Sequence, residues 1–579
     1  MKRNVNSRRA FLANSIIASG GVILSSQITA CEKLEDFLGG GPDEKIPRFL
    51  HGVGSFDPTA DAVIIWTRFT PIEAEVGQMI PIKWQVATDA SFGNIVAEGI
   101  NECSISNDFT MIEDVTGLPS NGTFYYRFIQ EELEVQSVVG ETITLPEVGA
   151  PVSSLKLAVC SCSNYPAGAF NVYDAIANSD ADVVVHLGDY IYEYGEGGYG
   201  TNENTLALNR IHDPKTEILS LEDYRLRYRQ YRTDEGLQLA HRKKPFIVVW
   251  DDHEITNDAY KEGAENHDDS EGSYEERKRR AIQVHGEYLP IRTDDGAIIY
   301  RNFQFGNLAN LVMLDTRIIG RDKQLNFGDY FNVDGSFDFV TFTAALTDPG
   351  RNLIGPEQLA WAAGIIGGNS CAWQIVGQQV LMAKMFVPAE LLIGIGAVAS
   401  GNATPEVFQQ LLQTMTELSA LKARAIQNDP ALTPEELARI NTVIPYNLDA
   451  WDGYPVEREK LFAVFKDKNT AVLAGDTHNA WNSDLIDASG NKIGEEFACP
   501  SVTSPGFEGL FGDDPATISA IEQAFVLLID NLKYFDASRR GFVMAEFTQG
   551  SATANYRFID TIASTQYQET VGKTATFNV

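Results

Sequence analysis

The sequence predicts an α/β domain preceded by an antiparallel β-sandwich, and three observations predict it. Residues from about 48 to 151 alternate apolar and polar positions like half-buried strands, in runs such as AVIIWTRF, IPIKWQVAT and TFYYRFI. From 152 onward the runs become continuously apolar and end in polar residues, as in LKLAVC, DVVVHLGD, PFIVVWDDHE, NLVMLDTR, WQIVGQQVLMA and NTAVLAGDTH. Such runs suit strands covered on both faces by other layers. Helical stretches, including 220–232 and 274–288, lie between them.

The chain has 579 residues, enough for a large core plus a smaller module. Acidic residues outnumber basic ones 79 to 45, a formal charge of −34, so the far field repels DNA, RNA and anionic membranes. No nucleic-acid binding through a basic patch is expected, and the excess reads as a solvated acidic surface. A phosphate-bearing substrate would need local cations to overcome that field.

In chain order, residues 1–31 read as an address. Ser7-Arg8-Arg9-Ala10-Phe11-Leu12 resembles a twin-arginine export motif and runs into an apolar segment, 16–24, too short to span a membrane. Ile28-Thr29-Ala30-Cys31 looks like a lipobox, with Cys31 as the lipidated mature N-terminus. The expected location is the periplasm or the cell surface, reached by the twin-arginine route, with lipid as the sole membrane anchor. Residues 32–47 are a Gly-rich, charged tether.

Over 48–151, turn clusters such as Phe56-Asp57-Pro58 and Pro119-Ser120-Asn121-Gly122 separate the strands, and Trp66 and Trp84 are core candidates. This reads as a fibronectin-like β-sandwich with nothing catalytic in it. Residues 152–579 read as the catalytic domain. Within it, 387–446 stands apart as a helical insertion: Thr404-Pro405-Glu406 and Thr433-Pro434-Glu435-Glu436 each supply an N-cap, an N1 proline and an acidic first turn. It reads either as a lid or rim near the site or as an exposed decoration. Beyond Cys31 the cysteines are 103, 160, 162, 371 and 499, odd in number and irregular in spacing, which is no disulfide framework.

Four apolar strands end in potential metal ligands, and in an open α/β sheet the carboxyl ends of strands share one crevice. LKLAVC delivers Cys162 just past its end, and DVVVHLGD delivers Asp189 and then Tyr192. FIVVWDDHE delivers Asp251, Asp252, His253 and Glu254, and AVLAGDTH delivers Asp476 and His478. Singly each is a weak signal, since a Gly-Asp pair after a strand is often a turn. Recurrence after four strands points to a metal site. His51, His186 and His212 read as ordinary structural histidines.

CSCSNY, HLGDYIYEYG, VWDDHE, LDTR, WDGYPVERE (451–459) and AGDTHNAW resemble, in order and spacing, the PhoD-like alkaline phosphatases, a branch of the binuclear metallophosphoesterases. The resemblance covers nearly all of the mature chain. It implies a four-layer αββα sandwich, a ferric ion beside calcium, and hydrolysis of phosphate mono- and diesters. By motif, Cys162, Asp189, Tyr192 and His478 would hold Fe3+, and Asp189 would bridge to a second site completed by Asp252 and Asp476. Thiolate and phenolate suit a polarising transition metal, whereas carboxylates suit one or two Ca2+, or Mg2+ or Mn2+. In related metallophosphoesterases the Asp252 position is commonly Asn and the Asp476 position His, so the carboxylates shift the second site away from Zn2+.

Cys160 and Cys162 are two apart and face the same way on an extended strand. The family pattern aligns Cys162 with the ligand and makes Cys160 a buried filler. Asp251 and Glu254 read as supporting residues around the ligands, Asp251 as an acceptor orienting His253. The mechanism implied is metal-assisted hydrolysis, with water attacking phosphorus in line with the leaving alkoxide. His253 would stabilise the transition state or protonate the leaving group, with Asp252 beside it. Arg317 would contact a substrate oxygen or form a structural ion pair, with Asp315 or another acid. Trp451, Asp452 and Tyr454 would line or brace the site mouth, and the loop 195–209 would shape the pocket. A phosphate-scavenging monomer is the expectation. The rival readings are a phospholipase D-like or nuclease-type phosphodiesterase on the same scaffold, and a non-catalytic surface lipoprotein.

Overall fold

The computed structural model describes residues 47–293, 296–334, 336–399 and 404–579. The expected export signal with Cys31, and all but the last residue of the tether, lie outside the described residues. Among the described residues no helix is long and apolar enough to cross a membrane, and the five remaining cysteines are unpaired.

Two large sheets form the heart of the molecule. The first runs, edge to edge, through Glu569–Asn578, Ser551–Ile559, Arg540–Thr548, Ser154–Cys160, Val183–His186, Pro245–Val248, Val53–Phe56, Ala62–Arg68 and Thr110–Thr116. The second runs through Arg301–Phe305, Ala309–Met313, Trp373–Gly377, Thr470–Ala474, Lys492–Ala498, Ala480–Ile486 and Leu532–Asp536. Residues along a strand point alternately to opposite faces. Leu311, Met313, Ile375, Ala471 and Leu473 therefore pack with Leu157, Val159, Val183 and Val185 of the first sheet, while Val312, Val376, Val472 and Ala474 face a separate helical layer. The helices Asn171–Ala177 and Glu235–Lys243 cover the first sheet through Val172, Ile176, Leu237 and Ala240. The layers are thus αββα, and the parallel central strands explain the continuous apolar runs.

The N-terminal β-sandwich has two layers, but one of them is shared. Ile95–Cys103, Ile80–Ala87, Thr123–Gln130 and Val135–Gln136, with Gly140–Ile143 also paired to Thr123–Gln130, form their own sheet. The facing layer, Val53–Phe56, Ala62–Arg68 and Thr110–Thr116, is hydrogen-bonded into the first large sheet through the parallel pairs Ser55 to Pro245 and Phe56 to Phe246. An edge strand left unpaired exposes a row of backbone donors and acceptors, and this continuity satisfies them. Trp84 packs in the sandwich core as expected. Trp66 does not: it faces the catalytic side, where its indole N–H donates to the Glu287 carbonyl at 2.7 Å and the Arg232 guanidinium lies 4.2 Å from its ring.

A buried ion cluster fastens the two regions. Asp108 accepts from Arg68 at 2.9 Å and from Arg229 at 3.0 Å, and also from the Tyr288 hydroxyl. Burial raises the Asp108 pKa, but the two guanidinium groups outweigh it and hold the carboxyl below its ordinary value. Asp108→Asn should cost about 3 kcal/mol near neutral pH, because Arg68 is left buried without its counter-charge. A carboxyl with a depressed folded pKa stabilises above its unfolded value, about 3.9, and less as pH falls through the folded one. Urea unfolding should therefore show a constant gap between the two proteins above about pH 5 that narrows below about pH 4.

The insertion is closed at its base by a two-stranded ribbon, Phe386–Pro388 against Val443–Pro445. Both expected helices are present: Pro405–Ile426 capped by Thr404, and Pro434–Asn441 capped by Thr433 in a box with Glu436. A third helix, Ala389–Ala399, carries two glycines that weaken its local helical signal, and it forms by burying Leu391, Ile395 and Val398.

Candidate metal centre

The carboxyl ends of three strands of the first sheet and one of the second converge on one pocket. Cys162 follows Ser154–Cys160, Asp189 and Tyr192 follow Val183–His186, Asp251 to Glu254 follow Pro245–Val248, and Asp476 and His478 follow Thr470–Ala474. Cys162, Asp189, Asp476 and His478 all have left-handed backbones, with φ of 63°, 54°, 63° and 64°. That region costs a non-glycine residue free energy, and such strain concentrates at functional sites. The two Gly-Asp pairs have a steric cause. A Cβ on Gly188 would stand 2.4 Å from the Asp251 amide nitrogen, and one on Gly475 would stand 2.6 Å from the Ser161 hydroxyl. Glycine at these two positions lets the ligand loops of both sheets touch.

The geometry brings three groups together. Ligand atoms of Cys162, Asp189 and His478 lie within 4.8 Å of one another, as do those of Asp189, Asp252 and His253, and those of Asp251, Asp252 and Asp476. Asp189 belongs to the first two sets and so stands between them. The Tyr192 hydroxyl joins the first set, 3.0 Å from Asp189 Oδ2 and 3.2 Å from His478 Nε2, and it accepts from Ser504 at 2.6 Å. Cys162, and not Cys160, is in the cluster, while Cys160 packs in the apolar core. His478 is held from its other side, where Nδ1 lies 2.8 Å from the Pro505 carbonyl and 2.9 Å from the Tyr199 hydroxyl. Tyr199 comes from the loop 195–209.

Two supporting roles differ from expectation. Asp251 does not orient His253: it pairs with Arg317. The acceptor for His253 is Glu193, whose Oε2 lies 2.7 Å from Nδ1. Glu193 is fully buried and also accepts from the Asn257 amide and the Asn266 side chain, each at 2.9 Å. It sits on the same turn as Asp189, where its carboxylate meets the loop after Pro245–Val248. Arg317 does not reach the pocket. Its guanidinium is fully buried and, besides Asp251, pairs with Asp449 and Asp476 at 2.9 Å, with Asp252 at 3.6 Å. It is a structural cation beneath the carboxylates, and Asp315 instead accepts from the Arg317 backbone N–H at 2.7 Å. Glu254 ties two ligand loops together, accepting from the amides of Asp189 at 3.0 Å, Tyr190 at 2.5 Å and Asp251 at 2.8 Å.

Glu193 fixes which His253 nitrogen faces the pocket, because a carboxylate at Nδ1 requires a proton there. Glu193→Gln should therefore lower kcat by about 10- to 100-fold with a smaller change in KM. Steady-state kinetics check this, and Glu193→Asp should recover part of the loss.

The cluster is crowded with acids. Burial drives the Cys162 thiol and the Tyr192 phenol well above their ordinary pKa values, and the neighbouring Asp189 adds to both. Burial raises Asp189 as well; His253 opposes this, while Asp252 and Glu254 add to it. Burial opposes charge on His253, but Glu193, Asp189 and Asp252 outweigh it and hold its pKa well above the usual imidazole value. Arg317 and His253 hold the Asp252 carboxyl below its ordinary value despite burial, but Cys162, Tyr192 and Asp189 are stable as anions only beside added positive charge. Asp189 Oδ1 is buried with no hydrogen-bond partner, an orphan acceptor that a cation would satisfy. The donor set fits a metal: the sulfur of Cys162, the phenol of Tyr192 and the imidazole of His478 on one side of Asp189, Asp252 and the His253 imidazole on the other.

The remaining expected residues are structural. Trp451 donates to Gln378 Oε1 at 3.1 Å, Asp452 pairs with Arg458, and the Tyr454 hydroxyl donates to the Asp322 carbonyl at 2.5 Å. They brace the wall and none lines the pocket. His186 and His212 are buried against Tyr173 and the Tyr194 carbonyl, both at 2.7 Å, and His51 lies 3.4 Å from Arg68. Glu193, Asp449 and Tyr199 were not expected. Glu193 lies inside the quoted HLGDYIYEYG motif and Asp449 two residues before WDGYPVERE, each a further carboxylate, which is the signal that could have drawn attention to them.

The chain is similar to known proteins over most of its length. A family model described as PhoD-like phosphatase matches residues 157–556, and the model for its N-terminal domain matches 39–146. The chain is 31% identical over 574 residues to alkaline phosphatase D of Bacillus subtilis, across 96% of this chain and 85% of that protein. A solved structure titled "Structure of PhoD" superposes with a TM-score of 0.71 at 28% identity, covering 93% of this chain and 92% of the other.

Proposed function

The chain belongs to the PhoD-like phosphatase family and is a metal-binding phosphoric ester hydrolase of the alkaline phosphatase D type, and from that premise we propose how its centre is built. Cys162, Asp189, Tyr192 and His478 would hold Fe3+. Asp189, with Asp252 and Asp476, would hold one or two Ca2+, with Mn2+, Mg2+ or Zn2+ as substitutes. The observation that carries this reading is a chain of shared carboxylates: Asp189 lies in one set with Cys162 and His478 and in a second with Asp252 and His253, and Asp252 lies in a third with Asp251 and Asp476. Cations bound there supply Lewis acidity, neutralising phosphate oxygens and acidifying water.

The chain's own residues do the rest. Arg317 fixes the spacing of Asp252 and Asp476 by pairing with both. Glu254 locks the Asp189 and Asp251 backbones together. His253 lines the pocket with Nδ1 committed to Glu193, so Nε2 is the atom that gives a proton to the departing alkoxide. Tyr199 and Pro505 set the ring plane of His478.

We further infer export by the twin-arginine route and anchoring through lipid on Cys31, supported by SRRAFL and ITAC, with a role in phosphate scavenging as a monomer. Labelled palmitate should enter the wild-type protein and not Cys31→Ser. The reaction itself is tested with 4-nitrophenyl phosphate and bis(4-nitrophenyl) phosphate, before and after chelation and after return of Fe3+ and Ca2+. Turnover should fall on chelation and recover only when both metals return. Full turnover by metal-free protein would overturn the reading.

A further inference from the structure

The pocket above the ligand cluster has two unlike walls. One holds the carboxylates and imidazoles. The other is built from Tyr446, Phe507 and Leu510, and chemistry at phosphorus has no use for it. Among the described residues that line the pocket none is a lysine or an arginine, so the apolar side offers no charge to a phosphate oxygen.

This wall is held firmly in place. Phe507 stacks with Tyr446 at 6.1 Å and with Phe511 at 5.6 Å, the latter pair only 6° from parallel. Phe511 in turn meets Phe408 of the helix Pro405–Ile426 at 6.2 Å. Tyr446 directly follows the ribbon strand Val443–Pro445, and its amide donates to the Met385 carbonyl at 2.7 Å. The insertion therefore supports the wall at both places, through its long helix and through its base. A preformed apolar face beside a few convergent polar groups is the usual make-up of a small-molecule site.

We propose that Tyr446, Phe507 and Leu510 form a subsite for the ester group of the substrate, selecting phosphate esters of aromatic or apolar alcohols over esters of small ones. The inference rests on the phosphatase reading above and adds the part of the substrate that reading leaves open. The aromatic faces would take a flat ring by offset or edge contact, and the alcohol would leave along the wall while phosphate stays at the carboxylates.

The test pairs substrates whose leaving alcohols have similar acidity, so that intrinsic reactivity is nearly constant. Benzyl phosphate is compared with ethyl phosphate, and dibenzyl phosphate with diethyl phosphate. The benzyl member of each hydrolysed pair should have the higher kcat/KM by about tenfold or more. In Tyr446→Ala and in Leu510→Asn that ratio should fall by about threefold or more. Using two variants guards against one that does not fold. A wild-type ratio within about twofold of one, or a ratio that both variants leave unchanged, would overturn the subsite. No hydrolysis of any ester, the 4-nitrophenyl compounds included, would overturn the phosphatase reading with it, whereas turnover without benzyl preference overturns the subsite alone.

Discussion

Replacing Asp189 with Asn is expected to lower kcat/KM for phosphate esters by at least about a thousandfold while leaving the fold intact. The size follows from position: Asp189 is the carboxylate shared by the set with Cys162 and His478 and the set with Asp252 and His253, and charge neutralisation by two cations contributes several kcal/mol to the transition state. The fold survives because the loop is held through backbone groups, the Asp189 amide by Glu254 at 3.0 Å and the Asp189 carbonyl by the Ser163 amide at 2.9 Å. Stability should move the other way in metal-free protein. Burial, with Asp252 and Glu254, raises the Asp189 pKa despite His253, so its ionised form destabilises the apo fold above the unfolded pKa, and the amide removes that penalty. Metal-free Asp189→Asn should melt at or above the wild-type temperature, and added metal should raise its midpoint less than that of the wild type. Kinetics and paired melting curves check both halves.

Arg317→Met is expected to have the largest effect on folding. One guanidinium faces four carboxylates on three separate loops: Asp251 and Asp252 on one, Asp449 on a second and Asp476 on a third. Removing it leaves Asp251 buried without its cation, and breaking a buried pair in this way costs about 3–5 kcal/mol. Arg321 continues to hold Asp449, so the loss falls on the loops that carry the ligands. Burial already raises the Asp251 pKa even with Arg317 beside it. Without the guanidinium it rises further, and a carboxyl with a raised folded pKa favours the fold when protonated and loses that advantage as pH increases. The variant should be closer to wild type in urea unfolding at pH 5 than at pH 8.

The scaffold was legible where the signal was local. Four apolar runs ending in ligand chemistry marked four strand ends, and threonine caps with N1 prolines marked the two insertion helices. What stayed hidden depends on contacts far apart in sequence. Continuity between the sandwich and the first large sheet rests on the pairing of Phe56 with Phe246, and nothing near Phe56 announces it. That same pairing turns Trp66 toward the catalytic side. Glu193 drew no reading from the sequence, because its role appears only when the loop after Pro245–Val248 brings His253 against it. Arg317 remained open between substrate and ion pair until three loops closed around it. The left-handed backbones at Cys162, Asp189, Asp476 and His478 left no mark on composition or periodicity.

The central claim is that Asp189 joins two unlike metal positions, the first carrying a phenolate from Tyr192. It is tested most directly by metal analysis and visible absorption of the purified protein and of Tyr192→Phe. The account predicts bound iron with a broad visible band from tyrosinate-to-iron charge transfer, and loss of that band in Tyr192→Phe. A colourless, iron-free wild-type protein with full phosphatase activity would contradict it.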